Sequence, residues 1–332
     1  MNILFELSGE HPSLPLAEAK ACMAAYGLNF GEIKKNSIFI VDVETNMDKI
    51  REIAGRLALS YTVNEVIAQG TVTEVEEKIS KIDFGVGKSF GISGRRFGDG
   101  TSISLLKNNI GGVIKREKKL NVDLENPDIE ITIFADKEIY LCKKIASINR
   151  KKFEGRRSQY RPFSPPISIH PRIAMALVNL SGIKRGETLL DPFCGTGGIL
   201  IEAGLIGAKV VGIDIKKNII EGCRKNLEHY GIESYTLYNA DATEIAINNV
   251  DAIVSDLPYG RSTYIGDDID KLYEKAFIKM KNWLKQGGIA VVGVPHKKFI
   301  DVGNKYLHLE EIHPMRIHRS LTRYFCVYRN II

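Results

Sequence analysis

Short apolar runs alternate along the chain with amphipathic stretches of helical period, the pattern of a mixed α/β architecture. The opening part predicts a strand over 2–7, a helix over 14–26, a hairpin of 28–34 with 37–43, a helix over 46–59 and a strand over 61–69. That βαββαβ order is the one a ferredoxin-like unit uses, and by itself it says nothing about function. A helix over 72–82, a strand over 88–93, a long amphipathic helix over 102–120 and strands over 129–135 and 139–147 come next. Beyond them lie an apolar helix over 171–181, strands near 188–191, 209–214, 235–239, 250–255 and 288–294 with helices between, and last strands near 307–313 and 324–328. Apolar runs of that kind suit parallel strands covered on both faces. Four segments result: a ferredoxin-like domain over 1–69, a second α+β domain over 70–149, a linker over 150–166 and an α/β domain over 167–332.

Composition changes this picture little. With 332 residues, 44% of them hydrophobic and 26% charged, the chain is long enough for several cores and ordinary for a soluble protein. No apolar run approaches membrane-spanning length, and the first strand lacks the cationic start and cleavage site of a signal peptide. A cytoplasmic location without membrane contact is expected. Cys22, Cys142, Cys194, Cys223 and Cys326 are scattered without a CxxC pair, so neither a disulfide framework nor a metal site is indicated. Charge is more telling. The net charge is +6, yet between 84 and 161 there are 17 Lys and Arg against 9 Asp and Glu, which leaves the remainder slightly acidic. A basic middle is the footprint of a polyanion partner, or else a solvated lysine-rich surface.

Candidate chemistry sits at strand ends. Asp256-Leu257-Pro258-Tyr259 follows the apolar run 250–255, which delivers a carboxylate, a stiffened turn and an aromatic ring to the edge where open α/β sheets bind ligands. An exocyclic amine on a nucleobase is a poor nucleophile because its lone pair is delocalised into the ring, so it must be oriented. Asp256 can accept one N–H, a backbone carbonyl at the Leu257–Pro258 bond the other, and Tyr259 can stack on the base. Read alone, the tetrad is equally an Asp-initiated turn closing a strand. Upstream, an apolar strand runs into Asp191-Pro192-Phe193-Cys194-Gly195-Thr196-Gly197-Gly198 and a helix opens behind it, an arrangement whose free N–H groups can hold an anion. Asp214 ends the next strand about twenty residues on, the spacing at which a carboxylate grips ribose hydroxyls. A dinucleotide enzyme would place Gly or Ala where Leu200 stands, and it has no use for the tetrad.

The two motifs together resemble class I S-adenosylmethionine-dependent methyltransferases acting on amino groups, whose common tetrad is Asp/Asn-Pro-Pro-Tyr; here Leu257 replaces the first proline. The resemblance implies a Rossmann-like seven-stranded domain, S-adenosylmethionine as cofactor, and a catalytic role for Asp256, Leu257, Pro258 and Tyr259. It further implies cofactor contacts from Asp191, Phe193, Cys194, Gly195, Thr196, Gly197, Asp214, Ile215, Ala242 and Asp256, with Asp241 on the adenine amine.

Ser89-Phe90-Gly91-Ile92, Gly111-Gly112 and Val122-Asp123-Leu124-Glu125-Asn126-Pro127-Asp128 resemble a THUMP domain, an RNA-binding module of tRNA-modifying enzymes. The last stretch also reads as a helix-to-strand connection stopped by Asn126-Pro127. Candidate RNA contacts in this region are Lys88, Arg95, Arg96, Lys115, Lys118 and Lys119. In the linker Arg150, Lys151, Lys152, Arg156, Arg157 and Arg161 face the single acid Glu154, with Phe153, Tyr160 and Phe163 interleaved and Pro162, Pro165 and Pro166 stiffening the join. Phosphate contacts with stacking fit that composition, as does a plain connector.

The order of ferredoxin-like unit, THUMP, basic linker and methyltransferase resembles the archaeal and eukaryotic tRNA guanine-N2 methyltransferases that modify guanosine 10. His170-Pro171-Arg172-Ile173-Ala174, Val178-Asn179-Leu180 and Ile317-His318-Arg319-Ser320-Leu321-Thr322-Arg323 support it. The resemblance implies tRNA as partner, one or two methyl transfers, no metal in this chain and, in some such enzymes, a small zinc-binding activator subunit. Two other readings stay open. One moves the methyl to another tRNA or rRNA guanine or to an adenine amine; the other is a tRNA-binding protein with an inactive methyltransferase half.

Overall fold

The computed structural model describes residues 1–35, 37–97, 102–164, 169–258, 267–318 and 321–331. Its helices in chain order are α1 (Leu14–Ala25), α2 (Met47–Arg56), α3 (Val72–Ile79), α4 (Ile103–Lys118), α5 (Lys151–Glu154), α6 (Pro171–Leu180), α7 (Gly198–Leu205), α8 (Lys217–His229), α9 (Asp267–Trp283) and α10 (Lys298–Asn304). The chain divides into two compact units. One gathers Met1–Gly9, Leu28–Gly55 and Ser60–Ile148; the other gathers Glu10–Gly27, Arg56–Leu59 and Asn149–Ile332.

The first unit is built on β1 (Asn2–Leu7), β2 (Phe30–Lys35), β3 (Ile38–Val43), β4 (Ser60–Gly70), β5 (Ser89–Arg96), β6 (Asn121–Val122), β7 (Ile129–Ala135) and β8 (Ile139–Ser147). Their order in one sheet is β2-β3-β1-β4-β8-β7-β5-β6. The first four strands follow the ferredoxin-like order, with β1 antiparallel to both β3 and β4. The remaining strands join without a break, because β4 pairs antiparallel with β8. α4 lays Leu106, Ile110 and Ile114, spaced four residues apart, on Phe90, Ile129, Ile131 and Ile133.

The THUMP-like stretches lock to one another. Asp128 Oδ2 accepts from the Lys88 and Ser89 backbone N–H groups at 2.7 and 3.0 Å and from Ser89 Oγ at 3.1 Å. Asp123 Oδ1 accepts from the Glu125 and Asn126 N–H groups, both at 2.9 Å. Gly91 is obligatory at their junction, since a Cβ there would meet Pro127 Cγ at 2.8 Å and the Asp123 carbonyl at 2.9 Å.

In the second unit β9 (Thr188–Asp191), β10 (Lys209–Asp214), β11 (Tyr235–Asn239), β12 (Val250–Asp256), β13 (Leu284–Val294), β14 (His308–His318) and β15 (Leu321–Arg329) form a sheet in the order β11-β10-β9-β12-β13-β15-β14. The first five are parallel and β15 runs antiparallel to both its neighbours. This is the seven-stranded Rossmann-like sheet expected. Strand order reverses between β9 and β12, which opens the crevice where such sheets bind ligands. The β14–β15 hairpin is longer than the apolar pattern predicts. β15 pairs with β13 only as far as Tyr324↔Val294, while the hairpin pairing continues through Arg323 and Thr322 to Leu321. The extra length carries Arg323 beyond the carboxyl end of β13.

α1 packs in this unit, with Leu14 and Ala17 in the same core as Ala174 and Leu177 of α6. Glu18 on α1 is fully buried and accepts from the Ala58 N–H at 2.9 Å, the Leu59 N–H at 2.8 Å and Asn179 Nδ2 at 2.8 Å. Burial pushes its carboxyl up to about 7 against those hydrogen bonds. Among the described residues no helix is long and apolar enough to cross a membrane.

Candidate active site

The tips of β9, β10, β11 and β12 line a cleft of about 270 Å³. Pro192, Phe193, Gly195 and Thr196 enter from the turn after β9, and Asp214, Ile215 and Lys216 from the tip of β10. Ala240, Asp241 and Ala242 follow β11, Asp256 and Pro258 close β12, and Ile219 and Leu272 complete the wall. Three carboxylates thus face one lysine between apolar surfaces. S-adenosylmethionine, cationic at sulfur with an apolar, amine-bearing adenine, fits that donor set, and S-adenosylmethionine is the cofactor this cleft suits.

The carboxylates are held differently. Asp214 Oδ1 accepts from the Lys216 N–H at 2.9 Å; partial burial pushes its carboxyl up, against the Lys216 and Gly195 N–H groups. Asp241 Oδ1 accepts from Thr243 N–H at 2.8 Å and Thr243 Oγ1 at 2.9 Å. Asp191 is buried outside the cleft lining, its Oδ1 taken by Ser255 Oγ at 2.7 Å and the Phe193 N–H at 3.1 Å. Burial, with Asp256 and Asp214 nearby, pushes it up to about 7. Cys194 and Gly197 also lie outside the lining. Leu200 fills the space left by Gly212, where a Cβ would come within 2.6 Å of Leu200 Cδ1. Close helix–strand approach is therefore supplied from the strand side, not by the third glycine of a dinucleotide loop.

Asp256 ends β12. Arg323 Nη2 donates to its Oδ2 at 3.0 Å, while Oδ1 is covered and has no partner among the described residues. The side chain as a whole is 28% exposed. Burial pushes the carboxyl up to about 6, with Arg323 pulling it down toward the ionised form. Leu257 is buried in the core beside Tyr273 and Phe277. Hydrogen bonds replace the rigidity that a proline would give: Leu257 N–H to Gly293 O at 3.1 Å, Arg323 Nη1 to Leu257 O at 3.2 Å, and Tyr273 OH to Pro258 O at 3.0 Å. Tyr259 lies outside the described residues, as do Pro165, Pro166, Arg319 and Ser320. Sequence reasoning missed Arg323 as a site residue, although the stretch that contains it was singled out.

The linker departs from its expected role. Arg156 makes a two-pronged pair with buried Glu202, Nε to Oε1 at 2.8 Å and Nη2 to Oε2 at 2.6 Å, and its guanidinium lies 4.7 Å from the Phe153 ring. Arg161 is only 5% exposed and donates to the Arg156 carbonyl at 3.0 Å. Arg150 pairs with Glu10, as does Arg172 at 2.6 Å. Phe153 is fully buried, and Phe163 packs where a Cβ on Gly222 would come within 2.1 Å. Asn226 ties the Phe163 backbone to the Thr196 carbonyl of the glycine loop. Arg156 and Arg161 are therefore corrected from RNA contacts to internal braces, because Arg156 is committed to Glu202 and Arg161 is buried and bonded to the Arg156 carbonyl. Arg157 pairs with Glu154 at 2.8 Å, Arg95 with Glu6 at 3.2 Å, and Lys118 donates to Ser80 O at 2.8 Å. Half-buried Lys152 lies 5.0 Å from the Phe153 ring centre. Lys88, Arg96, Lys115, Lys119 and Lys151 are exposed.

Residues 158–324 match the family model of an RMKL-like methyltransferase domain. The tRNA (guanine(10)-N2)-dimethyltransferase of Methanothermobacter thermautotrophicus is 37% identical over 97% of this chain and 98% of its own length. The protein of the same name from Pyrococcus abyssi is 34% identical over 97% and 98%. The crystal structure of TrmN from Thermus thermophilus shares the fold at a TM-score of 0.59 and 17% identity, covering 99% of this chain and 100% of that one. The chain belongs to the RMKL-like methyltransferase family and groups within it with the tRNA (guanine(10)-N2)-dimethyltransferases.

Proposed function

We propose that this enzyme transfers methyl groups from S-adenosylmethionine to the exocyclic amine of guanosine 10 in tRNA. The observation that carries the residue assignments is the Asp256 carboxyl at the tip of β12, with one oxygen held by Arg323 and the other covered and without a donor among the described residues. A buried acceptor of that kind costs free energy until a donor arrives. The 2-amino group of a guanine drawn out of its stack supplies that donor.

S-adenosylmethionine, when bound, supplies a methyl group on an electron-poor sulfur. Asp214 would receive ribose hydroxyls and Asp241 the adenine amine, with Phe193, Ile215 and Ala242 against the ring and the Gly195–Thr196 backbone beside them. Asp256 accepts one amine N–H and the Leu257 carbonyl the other, on the lone pair that Arg323 leaves. Tyr259 supports the base. Their joint effect is to turn the nitrogen lone pair toward the donor, the orientation a delocalised amine lacks in solution. After transfer the nitrogen is ammonium-like and acidic, and Asp256 lies where that proton departs. The monomethyl product keeps one N–H, so a second transfer uses the same acceptor.

Lys88, Arg96, Lys115 and Lys119 of the first unit, together with Lys151, are the cations this reading assigns to tRNA phosphates. A cytoplasmic location follows from the substrate, and a small zinc-binding activator subunit remains part of the reading as a partner. Incubating the purified chain with an unmodified tRNA transcript and methyl-labelled cofactor, then analysing nucleosides, tests the proposal. N2-methylated guanosine is expected, and it should vanish when position 10 is changed to adenosine. Label at another nucleoside, or its persistence in that transcript, would move the target elsewhere; rates with the chain alone decide whether an activator is needed.

A further inference from the structure

Arg323 is a buried cation on β15, 5% exposed at its side chain, and it reaches residues 66 and 67 positions away in the chain. Its guanidinium spans two consecutive acceptors. Nη2 donates to Asp256 Oδ2 at 3.0 Å and Nη1 to Leu257 O at 3.2 Å. These are the two groups that would receive the two N–H bonds of the target amine. From the geometry we infer that Arg323 is the positioning residue of the methyl transfer, setting the spacing of both amine acceptors and keeping the carboxylate anionic. The inference rests on the assignment of Asp256 made above.

Three observations support it. First, a planar fork is the side chain suited to hold two oxygens at a fixed separation; an ammonium acts as a point charge and cannot. Second, the clamp is closed from the opposite side. Gly293 of β13 pairs with Asp256, its carbonyl accepts the Leu257 N–H, and a Cβ on it would come within 2.5 Å of Asp256 Oδ1. The Oδ1 edge of the carboxylate thus lies against the β13 backbone while Oδ2 is held by Arg323. Third, the charges around Asp256 leave Arg323 as the counterweight. Asp191 on β9 lies close enough to interact with it unfavourably, and Tyr273 on α9 directs its hydroxyl to the Pro258 carbonyl. Arg323 alone among these groups favours the ionised form, against a burial that already raises the carboxyl. A protonated Asp256 would present an O–H in place of a lone pair and could not take the proton shed by the methylated nitrogen. The hairpin extension beyond the end of β13 is what places Arg323 here.

The test uses the full chain, an unmodified tRNA transcript and saturating S-adenosylmethionine, with kcat measured from pH 5.5 to 8.5 for Arg323→Met, Arg323→Lys and Asp256→Ala. Arg323→Met should lose about 100-fold in kcat at pH 7 and move the acidic inflection upward by about one unit or more. Affinity for S-adenosylhomocysteine by calorimetry should be unchanged. Arg323→Lys should keep the inflection of the parent while running about tenfold slower, since charge is retained and one donor lost. A parental rate and inflection in Arg323→Met would overturn the inference, as would a slower rate at every pH with no movement of the inflection. Should Arg323→Met fail to bind S-adenosylhomocysteine, Arg323→Lys decides: a parental rate, or an inflection displaced upward, contradicts it. Parental turnover in Asp256→Ala would instead sink the reading on which it stands.

Discussion

Two glycine-bearing motif pairs organise this molecule, one in each unit, and they dispose of their polar atoms in opposite ways. In the first unit Asp128 takes three donors and Asp123 two, all from the motif's own backbone and Ser89. One oxygen of each carboxylate is thereby committed to the motif's own backbone, and the pair works as a fastener. In the second unit Asp256 keeps a covered oxygen that has no donor among the described residues, and Asp214 and Asp241 face a cleft. The lesson is a rule of accounting: a motif residue whose hydrogen-bonding capacity is used within the fold holds structure, and one with capacity to spare awaits a ligand. Basic residues obey it too. Arg156 and Arg161 are spent inside, whereas Lys115 and Lys119 reach solvent.

Breaking the open motif should produce the largest effect. Asp256→Ala is expected to lower kcat by about 1,000-fold, as removal of a reacting-group contact does, while S-adenosylhomocysteine affinity by calorimetry stays within a few-fold. Spent charge should then matter for stability. Arg156→Ala strands Glu202 and is expected to cost about 3–5 kcal/mol in urea denaturation. Gly91→Ala, which crowds Pro127 and the Asp123 carbonyl, should cost about 1–3 kcal/mol and leave kcat unchanged. Lys115→Ala with Lys119→Ala should do the reverse, sparing the denaturation midpoint and reducing the salt slope of tRNA binding by about one per phosphate lost. The smallest effect concerns pH. Glu18 titrates near 7 in the folded unit against 4.5 for its ordinary value, so the folded state holds the extra proton in that window. Stability from this group is complete below about pH 4.5 and lost as pH rises through 7; Glu18→Gln should flatten that slope.

Much of this was legible in the sequence because it depends on local period. The strands that carry Asp191, Asp214 and Asp256 to one edge are short apolar runs with an acid at the end, and a parallel sheet puts such ends side by side. What could not be read depends on distant partners. The linker arginines looked free because Glu202 lies 46 residues from Arg156 and Glu10 lies 140 from Arg150. Arg323 looked like a strand residue of a late hairpin, since nothing nearby in the chain indicates that it meets Asp256.

The contact between Asp256 and the guanine amine can be measured as a coupling. Wild type and Asp256→Ala are each titrated with tRNA carrying guanosine or inosine at position 10, inosine lacking only the 2-amino group, in the presence of S-adenosylhomocysteine. The account predicts that either change alone weakens binding and that Asp256→Ala adds nothing once the tRNA carries inosine, whereas inosine still costs the Leu257 contact in Asp256→Ala. Fully additive losses, or equal affinity for both tRNAs in the wild type, would contradict it.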